Sequence, residues 1–171
     1  MGSGKSTIGK KLAESLNYSF YDTDKQIELS FQQSISTIFY KYGERKFRIY
    51  EREILYSLNC KQCIIATGGG LPCHYNNLEF IQKYGISIYL TVNISELYNR
   101  LKKEREQRPL INNLSDNQLL EFIKKEVHKR EILCYSKAHY IINAEKSINE
   151  IIHDIIQQIK NTNLVFPFVK N

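Results

Sequence analysis

At 171 residues, with 42% hydrophobic and 25% charged side chains, the chain has the size and composition of one globular domain with its own core. No apolar run reaches the roughly 18 residues of a membrane span, and the polar, glycine-rich start is unlike a secretory leader, so a cytoplasmic protein with no membrane partner is expected. The formal charge of +6 does not by itself point to nucleic acid. In "KKEREQR" and "EFIKKEVHKRE" the Lys and Arg are mixed with Glu and Gln, as on a solvated helix face. Such an excess suits a small polyanion equally well, and no nucleic-acid partner is expected.

The chain opens on "MGSGKST". Gly4, Lys5 and Ser6 form the second half of the phosphate-loop pattern G-x-x-x-x-G-K-[ST], and a segment of helical period, 8–16, follows directly. Glycines let successive N–H groups turn toward phosphate oxygens, and a helix beginning near Lys5 adds its positive end. Lys5 would bridge the outer phosphates, while the Ser6 hydroxyl would hold a magnesium ion. The first strand-like run, 18–22, leads into Asp22-Thr23-Asp24. In an extended chain the two carboxylates point to one side, where one could serve magnesium and the other a substrate hydroxyl. The same pattern also reads as a helix N-cap.

Helical period then runs over 24–59 and places Arg48 and Glu51 three apart on one face. An Arg there suits a carboxylate, gripped by two parallel bonds; a surface salt bridge is the plainer reading. A second strand, 62–68, ends in "ATGGG", whose glycines permit close backbone approach to a ligand. Cys60 and Cys63 make a C-x-x-C with no second half to complete a metal cage. These two, Cys73 and Cys134 therefore read as structural, with Cys63 a small buried thiol.

After a third strand, 85–92, and a helix, 95–103, Arg108 lies in "RPLI" and Arg130 follows on the helix 116–135. An arginine from this segment could neutralise charge on a transferring phosphoryl group. A fourth strand, 139–144, precedes a helix, 147–160, carrying an isoleucine stripe. Strands alternating with helices give an α/β fold with a parallel sheet flanked by helices, and continuous apolar strands agree with a sheet covered on both faces. The expected organisation is one domain, 1–160, with a tail, 161–171, in which Pro167 argues against a central strand.

In order, "GSGKST", "DTD", "IFYKYGERKFRIYE", "ATGGG", "RPL" and R-x(7)-A, from residue 2 to Ala138, resemble the shikimate kinase family. The resemblance implies a P-loop kinase fold with a five-stranded parallel sheet and a lid, here around 104–120. It implies transfer of the γ-phosphate of ATP to the 3-hydroxyl of shikimate, with Mg2+, by a monomeric enzyme.

Residue by residue, Gly2, Ser3, Gly4, Lys5, Ser6 and Thr7 would hold the phosphates, with Ser6 on magnesium and Asp22 nearby. Asp24 would bind shikimate hydroxyls as the candidate base. Arg48 and Arg130 would clamp the shikimate carboxylate. The backbone N–H groups of Gly68, Gly69 and Gly70 would face the substrate pocket, and Arg108 would reach the phosphates from the lid; Lys5, Asp24 and Arg108 form the catalytic set. The alternatives are another small P-loop kinase, such as a gluconate kinase, or an inactive truncated copy that only binds nucleotide.

Two departures concern the pocket. Cys134 stands where the family usually has tyrosine, with Tyr135 next to it, and "NAEKSIN" lacks the proline often found near the adenine. A third concerns support. The family's phosphate loop follows an apolar strand between those at 62–68 and 85–92, and this first central strand is missing here. Two strands are then expected to lack a ladder partner, and the sequence is expected to fold poorly unless the gap is filled.

Overall fold

The structure is a computed structural model and describes residues 2–161; the tail expected at 161–171 lies outside them from residue 162 onward. The elements run α1 (Lys5–Leu16), β1 (Ser19–Asp22), α2 (Thr23–Phe31), α3 (Ile35–Ser57), β2 (Cys63–Ala66), α4 (Asn77–Tyr84), β3 (Ile88–Thr91), α5 (Ile94–Lys103), α6 (Asp116–Leu133), β4 (Tyr140–Asn143) and α7 (Ile148–Lys160). Short 3-10 turns occupy Leu71–Cys73, Arg105–Gln107 and Tyr135–Lys137.

The long helical stretch expected over 24–59 is broken twice. Asp22 caps α2 by accepting from the Asp24 and Lys25 N–H groups, and Ser34 starts α3 afresh by accepting from Thr37 N–H. Within α3, Gly43 takes φ 72°, a left-handed value that kinks the helix at little cost for a residue without Cβ. The short helix α4 carries no long apolar stripe and was not anticipated. Elsewhere the caps are legible in the sequence: Ser115 with Gln118 and Ser147 with Glu150 form reciprocal capping boxes that open α6 and α7.

Strands β1 and β2 pair in parallel, Ser19 opposite Cys63 through Asp22 opposite Ala66, and β3 pairs with β4 in the same sense. Among the described residues β2 and β3 are not hydrogen-bonded to each other. A cavity of about 1080 Å³ lies between them. It is walled by Ile64 and Ile65 of β2, Ile88 and Leu90 of β3, Leu12 of α1 and Ile155 of α7. The gap expected between these strands is therefore present, and the anticipated five-stranded sheet is here two parallel pairs.

The apolar stripe of α7 does what its spacing requires: Ile151, Ile152 and Ile155 are buried against Ile8 and Leu12 of α1 and Ile142 of β4. A second cluster joins Leu97 and Leu101 of α5 to Ile111, Leu119 and Ile123. Ile111 is fully buried and anchors the segment expected to be a lid onto that cluster. A third, Ile27, Ile38 and Phe47, holds α2 against α3 and so fixes the helix that carries Arg48.

The cysteines are paired, Cys60 with Cys63 and Cys73 with Cys134, and none is free. This corrects the expectation of a small buried thiol at Cys63. The Cα–Cα separations of 6.1 and 5.3 Å place each pair within bridging reach.

Candidate active site

The site forms where α1 begins and where β1 and β2 end, the edge at which open parallel sheets bind ligands. Gly2 and Gly4 both take left-handed φ values, 70° and 81°. Gly4 is the N-cap of α1 and supplies no side-chain cap. The N–H groups of Lys5, Ser6 and Thr7, in the first turn, have no intrahelical partner and can meet an anion. Arg100 donates to the Gly2 carbonyl at 3.1 Å and ties the loop to α5.

The Ser6 hydroxyl donates to Asp22 at 2.5 Å. Asp22 ends β1, and the helix starts at the next residue. Asp24 is therefore not opposite Thr23 on a strand, as an extended chain would have it, but in the first turn of α2. Capping by Asp22 outcompetes extension, since it satisfies two N–H groups that would otherwise be orphaned.

The expected residues converge on Asp24. Burial pushes its carboxyl above the usual carboxylate range; Lys5, Arg48 and Arg108 oppose this, and Asp22 adds to it. Arg48 is 7% exposed. It donates to Glu51 at 2.7 Å, and to Glu44 at 2.8 and 3.2 Å. Glu51 is only 1% exposed, and burial pushes its carboxyl up to about 7, against the pull of Arg48 and Arg130 and with help from Asp24. Arg130, in the last turn of α6, is equally buried and pairs with Glu126 at 2.5 Å.

The glycines of "ATGGG" are explained by this cluster. A Cβ on Gly68 would lie 2.5 Å from Glu51 and 2.6 Å from Asp24, and one on Gly70 would lie 2.6 Å from the Arg48 guanidinium. Four of their backbone groups are already engaged; the Gly68 and Gly70 carbonyls accept from the Leu71 and Cys73 N–H groups at 3.1 and 3.0 Å. The Gly68 N–H donates to the hydroxyl of Thr23 at 2.9 Å, and the Gly69 carbonyl accepts from the Tyr135 hydroxyl. The expectation that all three N–H groups face the pocket is thus corrected at Gly68. Thr23 is fully buried and uses the glycine segment as its partner.

Arg108 pairs with Glu104 one helical turn back. Near it Arg105 bonds Asp116 at 2.9 Å and the Leu114 carbonyl at 2.6 Å, closing the segment on itself. Thr23, Glu44 and Glu126 were given no role by the sequence, and Tyr135 was marked only as the neighbour of Cys134. Glu44 and Glu126 each lie four residues before an arginine already singled out.

The family profile described as shikimate kinase matches residues 1–160. The chain belongs to the shikimate kinase family. The shikimate kinase of Bacteroides thetaiotaomicron is 38% identical over 147 residues, 85% of this chain and 83% of its own. The crystal structure of shikimate kinase from that organism superposes with a TM-score of 0.87 over 94% of both chains. That of Acinetobacter baumannii shikimate kinase in complex with shikimate is 32% identical, also with a TM-score of 0.87, over 96% of this chain and 91% of its own. A gluconokinase from Sinorhizobium meliloti, 13% identical with a TM-score of 0.58, shares the fold alone. Family membership makes the chain a kinase with a P-loop kinase fold. No helix among the described residues is long and apolar enough to cross a membrane.

Proposed function

We propose that this protein phosphorylates the 3-hydroxyl of shikimate with ATP, as its family implies, through the residues gathered at the ends of β1 and β2. The observation that carries the reading is the meeting of Asp24, Glu51 and Arg48 over Gly68 and Gly70, beside the uncapped start of α1. An acceptor with one carboxylate and several hydroxyls matches a site that offers arginines and carboxylates side by side.

The loop from Gly2 to Thr7 holds the phosphates, with Ser3 between the two glycines. Lys5 neutralises the outer phosphates, and Arg108 joins them when its segment turns inward. Ser6 and Asp22 offer oxygen donors only, which suits Mg2+; that ion takes few protein ligands and completes its shell with phosphate oxygens and water. Bound there, it would neutralise charge on the transferred group. Arg48 and Arg130 grip the carboxylate of shikimate and fix its orientation. Asp24 accepts a hydrogen bond from the 3-hydroxyl. Its raised proton affinity lets it take that proton as the new bond forms. The protein acts in the cytoplasm as a monomer and without a nucleic-acid partner.

A coupled ADP-release assay with shikimate, gluconate and nucleoside monophosphates tests this. Turnover is expected with shikimate alone. Turnover with gluconate but not shikimate would overturn the acceptor, and ATP binding with no transfer would leave a nucleotide-binding module.

A further inference from the structure

Cys73 and Cys134 tie together the two walls of the acceptor pocket. Cys73 closes the 3-10 turn that follows Gly70, and this turn packs on α3, which bears Arg48. Cys134 caps α6 four residues after Arg130, its N–H bonded to the Arg130 carbonyl at 2.9 Å. The next residue, Tyr135, donates to the Gly69 carbonyl. Two consecutive residues at the end of α6 therefore hold the glycine segment and the turn that follows it, the first by a covalent bond to Cys73 and the second by a hydrogen bond to Gly69.

We propose that Cys73 and Cys134 are a reversible thiol–disulfide pair that controls affinity for the acceptor. Oxidised, the pair fixes the spacing between the Arg48 wall and the Arg130 wall. Reduced, it leaves the two walls held by non-covalent contacts such as the Tyr135 hydrogen bond. The bond closes a loop of 61 residues in sequence separation, so breaking it frees a large piece of chain.

Exchange with a small-molecule disulfide supplies the chemistry. The Cys73 thiolate attacks one sulfur and releases one small thiol; the Cys134 thiolate then displaces the second. Two protein thiols are oxidised, and one small disulfide is reduced to two thiols. Cys73 is the entry point, being half-buried while Cys134 is 2% exposed.

The proposal rests on shikimate being the acceptor, and its test separates the two ideas. The protein is equilibrated in buffers of graded reduced-to-oxidised glutathione ratio, and free thiols are counted by mass after alkylation. The KM values for shikimate and for ATP are measured at each ratio. Oxidation of the 73–134 pair is expected to lower the shikimate KM by about fivefold or more, the lower end of ordinary coupling between sites, with the ATP KM unchanged. Cys73→Ser and Cys134→Ala, made separately, are each expected to hold the higher KM at every ratio. Cys60→Ser/Cys63→Ser is expected to respond like the parent. An active enzyme whose shikimate KM ignores the measured state of the pair overturns the proposal, as does a pair that never bridges. Absence of shikimate turnover at every ratio overturns the acceptor reading instead, while the thiol count still reports the bridge.

Discussion

Replacing Arg48 by lysine tests the centre of the site, because it keeps the charge and removes the fork. Arg48 uses three of its five N–H groups on Glu44 and Glu51, leaving two for an acceptor carboxylate. A lysine ammonium is a single point of charge and cannot reach both glutamates and a ligand. A charge-assisted hydrogen bond contributes about 1.5–3 kcal/mol. Losing one of the two to the carboxylate should then weaken acceptor binding by about 10- to 150-fold at 1.36 kcal/mol per decade. Stability should fall less than for an ordinary severed buried pair, whose loss costs about 3–5 kcal/mol. Glu51, with its carboxyl at about 7, escapes the unpaired charge by taking a proton. Calorimetric titration of shikimate gives the affinity, and the coupled assay at saturating shikimate gives kcat. A shikimate Kd within about twofold of the parent would refute the two-bond grip.

Asp24→Asn should reduce kcat by about 10²- to 10⁴-fold, the usual worth of a positioned acid or base, while shikimate binding by calorimetry changes little; a loss of binding equal to the loss of turnover would make Asp24 an anchor. Glu51→Gln should flatten the pH dependence of stability in the ligand-free protein. The folded carboxyl sits at about 7 against an ordinary 4.5, so its contribution is complete below about 4.5 and is lost as pH rises through about 7. His74, held low by burial, works in the opposite direction. Only the difference between parent and variant melting curves from pH 5 to 8 isolates Glu51, and identical slopes would sink the assignment. Fusing a short run of Val and Ile ahead of Met1 should raise Tm by about 2–4 °C for each kcal/mol gained, and an unchanged Tm would deny that the cavity accepts a strand.

The phosphate loop, the arginine on α3 and the glycine triplet were legible because each is a local pattern with a local cause. What escaped was set by partners far away in sequence. Nothing around Tyr135 announces that its hydroxyl meets the Gly69 carbonyl, 66 residues away. Likewise Thr23 looks like a spacer between two aspartates until Gly68 N–H is found on it. Of the two readings of Asp22-Thr23-Asp24, the helix N-cap is the one observed and the extended one fails, because a capping aspartate ends the strand. Cysteine spacing misled in another way: C-x-x-C drew attention to Cys60 and Cys63, whereas the pair beside the pocket is separated by 61 positions.

The gap between β2 and β3 bears on the site as well as on stability. The loop from Gly2 to Gly4 stands at the end of the cavity that Ser3 and Lys5 help to line. Two of its anchors are the Arg100 bond to the Gly2 carbonyl and the closeness of Gly2 to Leu97 and Leu101, which a Cβ there would meet. Both belong to α5, on the β3 side. Asp22 and the glycine segment belong to the β2 side, joined to the loop through Ser6. With no ladder between β2 and β3, the two halves of the site are registered by α1, which packs on β1 and β2 and also on α7, together with the Cys73–Cys134 and Tyr135 ties at the end of α6. A strand in the gap would register them directly, through hydrogen bonds on both edges. Filling the cavity is therefore expected to sharpen phosphate-loop geometry, so that the KM for ATP falls along with the rise in Tm. A rise in Tm with an unchanged KM would mean that the existing contacts already position the loop.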